Sequence, residues 1–171
     1  IANVGNASLS ITNQPSSTPS VANNSLIHNN TAQTGHGGAI YLSGLQTNLT
    51  VENAAISHNT AEQGNAGAVY AIGTESTNLS FFNTTIAHNI STTGQGGAIY
   101  SQANTVSNIA IMNSTVAANF SQTGGAAIYT QATTNNVSLL NTFLYANYNN
   151  NVEQAIQYIG TTNNLYAAYS V

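Results

Sequence analysis

Residues 86–100 read IAHNISTTGQGGAIY, and close variants stand at 26–41 (LIHNNTAQTGHGGAIY), 56–70 (ISHNTAEQGNAGAVY) and 116–129 (VAANFSQTGGAAIY). Recurrence every 29 or so residues marks a repeat architecture, in which each unit buries its apolar side only against the next. Each copy opens on an aliphatic residue three positions before an asparagine, as in LIHN at 26–29 and LYAN at 144–147, and closes on a glycine turn with an Ala-Ile-Tyr strand. A further segment shares the period, an alternating stretch closing on asparagine: NLTVEN at 48–53, NLSFFN at 78–83, NIAIMN at 108–113 and NVSLLN at 136–141. SLSITN at 8–13 and NNLYAA at 163–168 extend that series at both ends.

Apolar residues alternate over about five positions in each segment, the period of a short strand. Equal spacing sets every strand parallel to its copy one turn away. The sequence therefore predicts an all-β fold, a right-handed parallel β-helix of about five to six rungs of about 29 residues, with three short strands per rung. Repeated Gly-Gly, β-branched residues and dense asparagine disfavour a helical repeat. One domain is expected over 1–171: a strand and a loop with Pro15 and Pro19 in 1–20, regular rungs in 21–160 and a last strand in 161–171.

Vertical register assigns roles. Leu49/Val51, Leu79/Phe81, Ile109/Ile111 and Val137/Leu139 are expected in the interior with Ile56, Ile86, Val116 and Leu144. Asn53, Asn83, Asn113 and Asn141 are expected to stack as one amide ladder, and Asn59, Asn89, Asn119 and Asn147 as another, each bonding turn backbone. In the third strand the favoured phase points Ile40, Val69, Ile99 and Ile128 inward, which makes Tyr41, Tyr70, Tyr100 and Tyr129 an outward aromatic column; the opposite phase buries the tyrosines. Phe82, Met112 and Leu140 form either an outward apolar stripe suited to lateral contact or an inward turn.

Charged residues are 2% of the chain, against about 25% in an ordinary globular domain. With no lysine or arginine, nucleic acid and anionic membrane surfaces are excluded as partners. No apolar run approaches the roughly 20 residues of a spanning helix, so no membrane insertion is expected. Polysaccharide-cleaving β-helices need paired carboxylates or a carboxylate-held cation beside a base. Here the four acidic residues, Glu52, Glu62, Glu75 and Glu153, are scattered and no basic side chain beyond histidine exists. The chain is read as no enzyme and as needing no cofactor.

His28, His58 and His88 share one register in this reading, a weak metal candidate set by an expected spacing of about 5 Å. The bland alternative, a polar ladder that gives way to Ala118 and Ala146, is preferred. Of the many Asn-x-Ser/Thr sequons, Asn6 and Asn23 are the candidate glycosylation sites outside the ladders.

The motif of an apolar residue, two positions, Asn, a gap and Gly-Gly-Ala-Ile resembles the repeat of chlamydial polymorphic outer membrane proteins, over about residues 20 to 160. That resemblance implies a surface-exposed, adhesin-like β-helical passenger. Read with the scarcity of charge and the unpaired strand edges at both ends, it leads to an extracellular, cell-surface structural protein. Such a protein is expected to polymerise with itself, end to end or by strand exchange, into a filament, sheath or appendage. Lateral neighbour filaments are a second expected contact. The alternative is an adhesin that holds carbohydrate or a host protein on the tyrosine column.

Overall fold

The computed structural model describes residues 1–4, 8–12 and 25–170. Pro15, Pro19, Asn6 and Asn23 lie outside the described residues. The strands follow the chain around successive turns. The first turn holds β1 (Ala2–Val4), β2 (Ser8–Thr12), β3 (Ser25–His28) and β4 (Thr31–Ala32). The second holds β5 (Ile40–Ser57) and β6 (Thr60–Ala61), the third β7 (Val69–Ala87) and β8 (Ile90–Ser91). The fourth holds β9 (Ile99–Ala103), β10 (Val106–Met112), β11 (Thr115–Ala117) and β12 (Phe120–Ser121). The fifth holds β13 (Ile128–Gln131), β14 (Thr134–Leu140), β15 (Phe143–Tyr145) and β16 (Tyr148–Asn149). After β17 (Val152–Glu153), a partial turn ends the description with β18 (Ile156–Ile159) and β19 (Thr162–Ala168).

The result is a parallel β-solenoid of about five turns, with no helix among the described residues. From β3 onward partners one turn apart are 28 to 30 residues apart in sequence, as in Ile109 with Val137 and Thr60 with Ile90, whereas β1 and β2 stand 39 and 40 residues before their partners in β5. Three faces run its length. Ile40, Val69, Ile99, Ile128 and Ile156 are successive partners on the first face. Leu9, Leu49, Leu79, Ile109, Val137 and Leu165 are successive partners on the second. Ile27, Ile56, Ile86, Val116 and Leu144 are successive partners on the third. From the second turn to the fifth these columns are buried, apart from half-buried Leu144, and make one core. A fully buried aliphatic side chain contributes about 1.5–3 kcal/mol, so each turn orders itself once stacked.

The corners explain the asparagines. Between second and third faces Asn53, Asn83, Asn113 and Asn141 adopt φ of 48–52°, the left-handed region that asparagine tolerates better than most residues. A second left-handed corner, after the third face, is held by Asn29, His58, His88, Ala118 and Ala146. Glycine is required at the turn into the first face. Gly96 sits at φ +66°, and a Cβ on Gly97 would lie 2.5 Å from the carbonyl oxygens of both Ala126 and Phe120.

Two features depart from the sequence-based expectation. A fourth pairing position of two residues follows each second-ladder asparagine and forms its own sheet through β4, β6, β8, β12 and β16. Two residues are too few to show a period. At the far end, β17 folds back antiparallel on β16 around Asn150 and Asn151, both at positive φ, a turn that Asn-Asn favours. This hairpin closes the short sheet, and Glu153 Oε1 accepts the Ala146 N–H at 3.0 Å.

Candidate functional site

The second asparagine ladder is internal. Asn59, Asn89, Asn119 and Asn147 are at most 1% exposed. The Oδ1 of Asn89 accepts both the backbone N–H and the Nδ2–H of Asn59, at 3.1 and 3.0 Å, while its own Nδ2 donates to Ile56 O at 3.0 Å. The same three bonds recur at Asn119. Each amide thus satisfies backbone that the turn would otherwise bury unpaired. The ladder begins at Asn30, whose N–H and Nδ2 reach Asn59 Oδ1.

The first ladder is external. Asn83 donates to Asn53 Oδ1 at 2.7 Å and Asn141 to Asn113 Oδ1 at 3.0 Å, on a surface where water competes. A third ladder escaped the sequence reading: Asn48, Asn78, Asn108, Asn136 and Asn164, linked by amide bonds of 2.8–3.0 Å along the outside of the second face. Its signal was present, since each of these residues opens one of the repeated alternating stretches. A buried hydroxyl chain also went unseen. Thr77, Ser101 and Ser107 are joined at 2.6 and 2.7 Å, and Thr130 lies 2.8 Å from Ser107 and 2.9 Å from Asn135 Oδ1.

The histidine set requires correction. His28 pairs with Ser57, one position away from the corner that holds His58 and His88. Leu26 and Ile27 are both aliphatic, so the aliphatic-x-x-Asn pattern fits two phases, and strand alternation selects Ile27-His28-Asn29-Asn30. His58 and His88 stack face to face with centroids 4.9 Å apart. Among the described residues no three His or Glu side chains converge as a metal-holding group.

The tyrosines also require correction. Ile40, Val69, Ile99 and Ile128 point into the core. Their neighbours Tyr70, Tyr100 and Tyr129 point away from it, yet are only 5–7% exposed, packed with Ala66 of the glycine loop. Tyr41 is half-buried in the same cluster. The rings stack at 5.0–5.3 Å, and His36 lies parallel on Tyr70 at 4.4 Å with its Nδ1 accepting the Asn65 N–H. Burial pushes the phenols of Tyr70, Tyr100 and Tyr129 up from their ordinary pKa, with neighbouring phenols adding to the shift at Tyr70 and Tyr100, and lowers that of His36. A column sealed in this way is a second small core and offers no surface for carbohydrate. The sequence reading equated "away from the core" with "exposed", and the loop that folds over the rings breaks that equation.

What remains outward and apolar lies on the second face. Phe82 and Leu140 are 40% and 42% exposed, with half-buried Met112 between them in one column. Beside this ridge runs a trough of about 430 Å³ floored by Thr50, Ser80, Ala110 and Ser138 and closed at one end by Tyr166.

Comparison with known proteins gives one family. The model of the Chlamydia polymorphic membrane protein repeat matches residues 24–43 and 83–102. No curated protein and no solved structure matches the chain. The matched stretches end on Ser43 and Gln102, both partners of Ile72, so they are one arc of the solenoid two turns apart. That arc carries the buried amide, the second left-handed corner and the glycine loop. Two arcs of this solenoid therefore match the Chlamydia polymorphic membrane protein repeat, set in a β-solenoid whose other turns share the same columns.

Proposed function

We propose that this chain is a non-enzymatic structural protein of the cell surface, a solenoid that stacks end to end on copies of itself to build a filament, sheath or appendage. The surface setting is drawn from the repeat it shares with outer membrane proteins and from the lack of any lysine or arginine for trypsin-type proteases to cut. The self-assembly is drawn from the matching of the two end faces.

At one end, β19 pairs among the described residues with β14 alone, which leaves its outer edge open there. Leu165 is 53% exposed there. The three buried side-chain atoms without a hydrogen-bond partner among the described residues, Asn149 Oδ1, Gln157 Oε1 and Tyr158 OH, all lie in the last stretch of the chain. At the other end β1 and β2 each pair, among the described residues, only with β5. The two edges belong to the same columns: a copy added in register sets Leu9 over Leu165, Ile11 over Ala167 and Ile1 over Ile156. On the first and second faces core meets core and strand meets strand, an operation that repeats without closing and so yields an open polymer.

Negative-stain microscopy tests this. The wild-type chain is expected to form rods that lengthen with concentration, and Leu165→Glu or Ile1→Glu, each charging one end face, to abolish that lengthening, with no particle longer than one solenoid and the wild-type circular dichroism kept. Wild-type rods of one fixed, short length at every concentration would refute the end-to-end reading.

A further inference from the structure

We infer that the outer surface of the second face is a self-complementary zipper, which pairs two solenoids side by side, both pointing the same way, about a two-fold axis parallel to their length. This extends the self-assembly proposed above but rests on a different surface and different residues.

The observation is a size rule in two adjacent outward columns. From the second turn on, one column is Thr50, Ser80, Ala110, Ser138 and Tyr166 and the other is Glu52, Phe82, Met112, Leu140 and Ala168; in the first turn they begin at Ser10 and Thr12. In the third, fourth and fifth turns the first column is small and the second large: Ser80 beside Phe82, Ala110 beside Met112, Ser138 beside Leu140. In the last turn both switch together, to Tyr166 beside Ala168. Packing against the solenoid's own interior does not require this switch, because all of these side chains point outward.

A two-fold axis along the solenoid explains it. Such an axis keeps every turn level with its equivalent and exchanges the two columns across the joint. Phe82 of one copy then enters the trough at Ser80 of the second copy, Met112 faces Ala110, and Leu140 faces Ser138. Tyr166 faces Ala168, so the inverted turn fits as well as the regular ones. The facing sheets interdigitate with knobs two residues apart along each strand and one turn apart along the axis, the geometry of a dry zipper between sheets.

Charge permits the contact. Glu52 is the only ionisable group in the two columns apart from the phenol of Tyr166, and it lies in the second turn, where it faces Thr50 of the second copy. Seven residues of strand by five turns give a patch of about 23 by 24 Å, or about 1,100 Å² of surface for the pair. That is close to the lower bound for a specific interface, so an isolated pair associates weakly and end-to-end growth multiplies the contact.

The test uses sedimentation equilibrium of the whole chain in the Ile1→Glu background, which removes the end joint. The parent is expected to show a reversible dimer. Ala110→Phe sets knob against knob at Met112 and is expected to weaken that dimer by about tenfold or more. The double variant Ala110→Phe with Met112→Ala copies the natural inversion of Tyr166 and Ala168 and is expected to restore it. Both substituted positions face outward, and unchanged thermal unfolding verifies folding. A parent that stays a single solenoid at all concentrations, an Ala110→Phe variant that dimerises normally, or a double variant that fails to recover would each overturn the zipper. Rod formation by the Ala110→Phe chain without the Ile1→Glu change reads the end joint separately, so one proposal can fail while the other stands.

Discussion

The same amino acid does two different jobs a few residues apart. Asn83 and Asn89 belong to ladders of similar appearance in the sequence, yet one is exposed at a left-handed corner and the other is fully buried. Exchange of Asn83 for alanine forfeits a surface amide bond and about 1 kcal/mol of left-handed preference. Asn89→Ala removes the acceptor of the Asn59 N–H and the donor to Ile56 O, two groups with no route to water. An unsatisfied buried backbone group costs about 1–3 kcal/mol, so the expected loss is about 2–5 kcal/mol. Urea denaturation of the two variants should therefore separate them by at least about 1 kcal/mol, and equal losses would mean that the buried ladder carries no special burden.

Strands, loops and columns were unequally legible. The columns on the second face follow from Leu49, Leu79, Ile109 and Val137 alone, because a slip of one residue turns every side chain to the wrong side. Turn phase was weaker where two aliphatic residues adjoin, which is why His28 was set a position out of register. Short pairing and fold-back segments such as β16–β17 carry no period at all, and only Asn150-Asn151 marks them. The sealed tyrosine column was illegible for another reason: what covers it is a loop, and alternation is silent about loops. That loop makes the element sensitive to acid. His36 is stacked on Tyr70 and its Nδ1 accepts a hydrogen bond, so burial favours the neutral ring and lowers its pKa below the ordinary 6.5. A lowered pKa contributes stability that is full above the unfolded value and is lost as pH falls through the folded one. The urea midpoint should accordingly drop on acidification below about pH 6.5. His36→Asn, which installs the amide that Asn65 already uses toward the Gln95 N–H at 2.9 Å, should flatten that part of the profile. An unchanged profile in the variant would assign the acid sensitivity elsewhere.

For the molecule as a whole, contacts reach only the neighbouring turns, so stability is close to a sum of turns and joints. Deletion of residues 61–90, which brings Ser91 to follow Thr60 in the register of Thr60 with Ile90, removes one complete turn and keeps every column continuous. The shortened chain should fold, unfold in one transition and show a smaller urea m-value, since less surface is exposed. Deletion of residues 61–75, half a turn, should abolish folding because it puts faces out of phase, and a folded product would contradict the nearest-neighbour account. The direction of the backbone hydrogen bonds has a mechanical consequence. Bonds between parallel strands of successive turns lie along the solenoid, from Leu9 through Leu165 on the second face. Tension on the two ends of the column loads one seam after another, and the molecule lengthens by unpeeling turn by turn at modest force. Tension applied across the column, along the strands, shears whole rows together and meets a far stiffer body. A fibre made this way would be compliant along its length and hard to crush from the side.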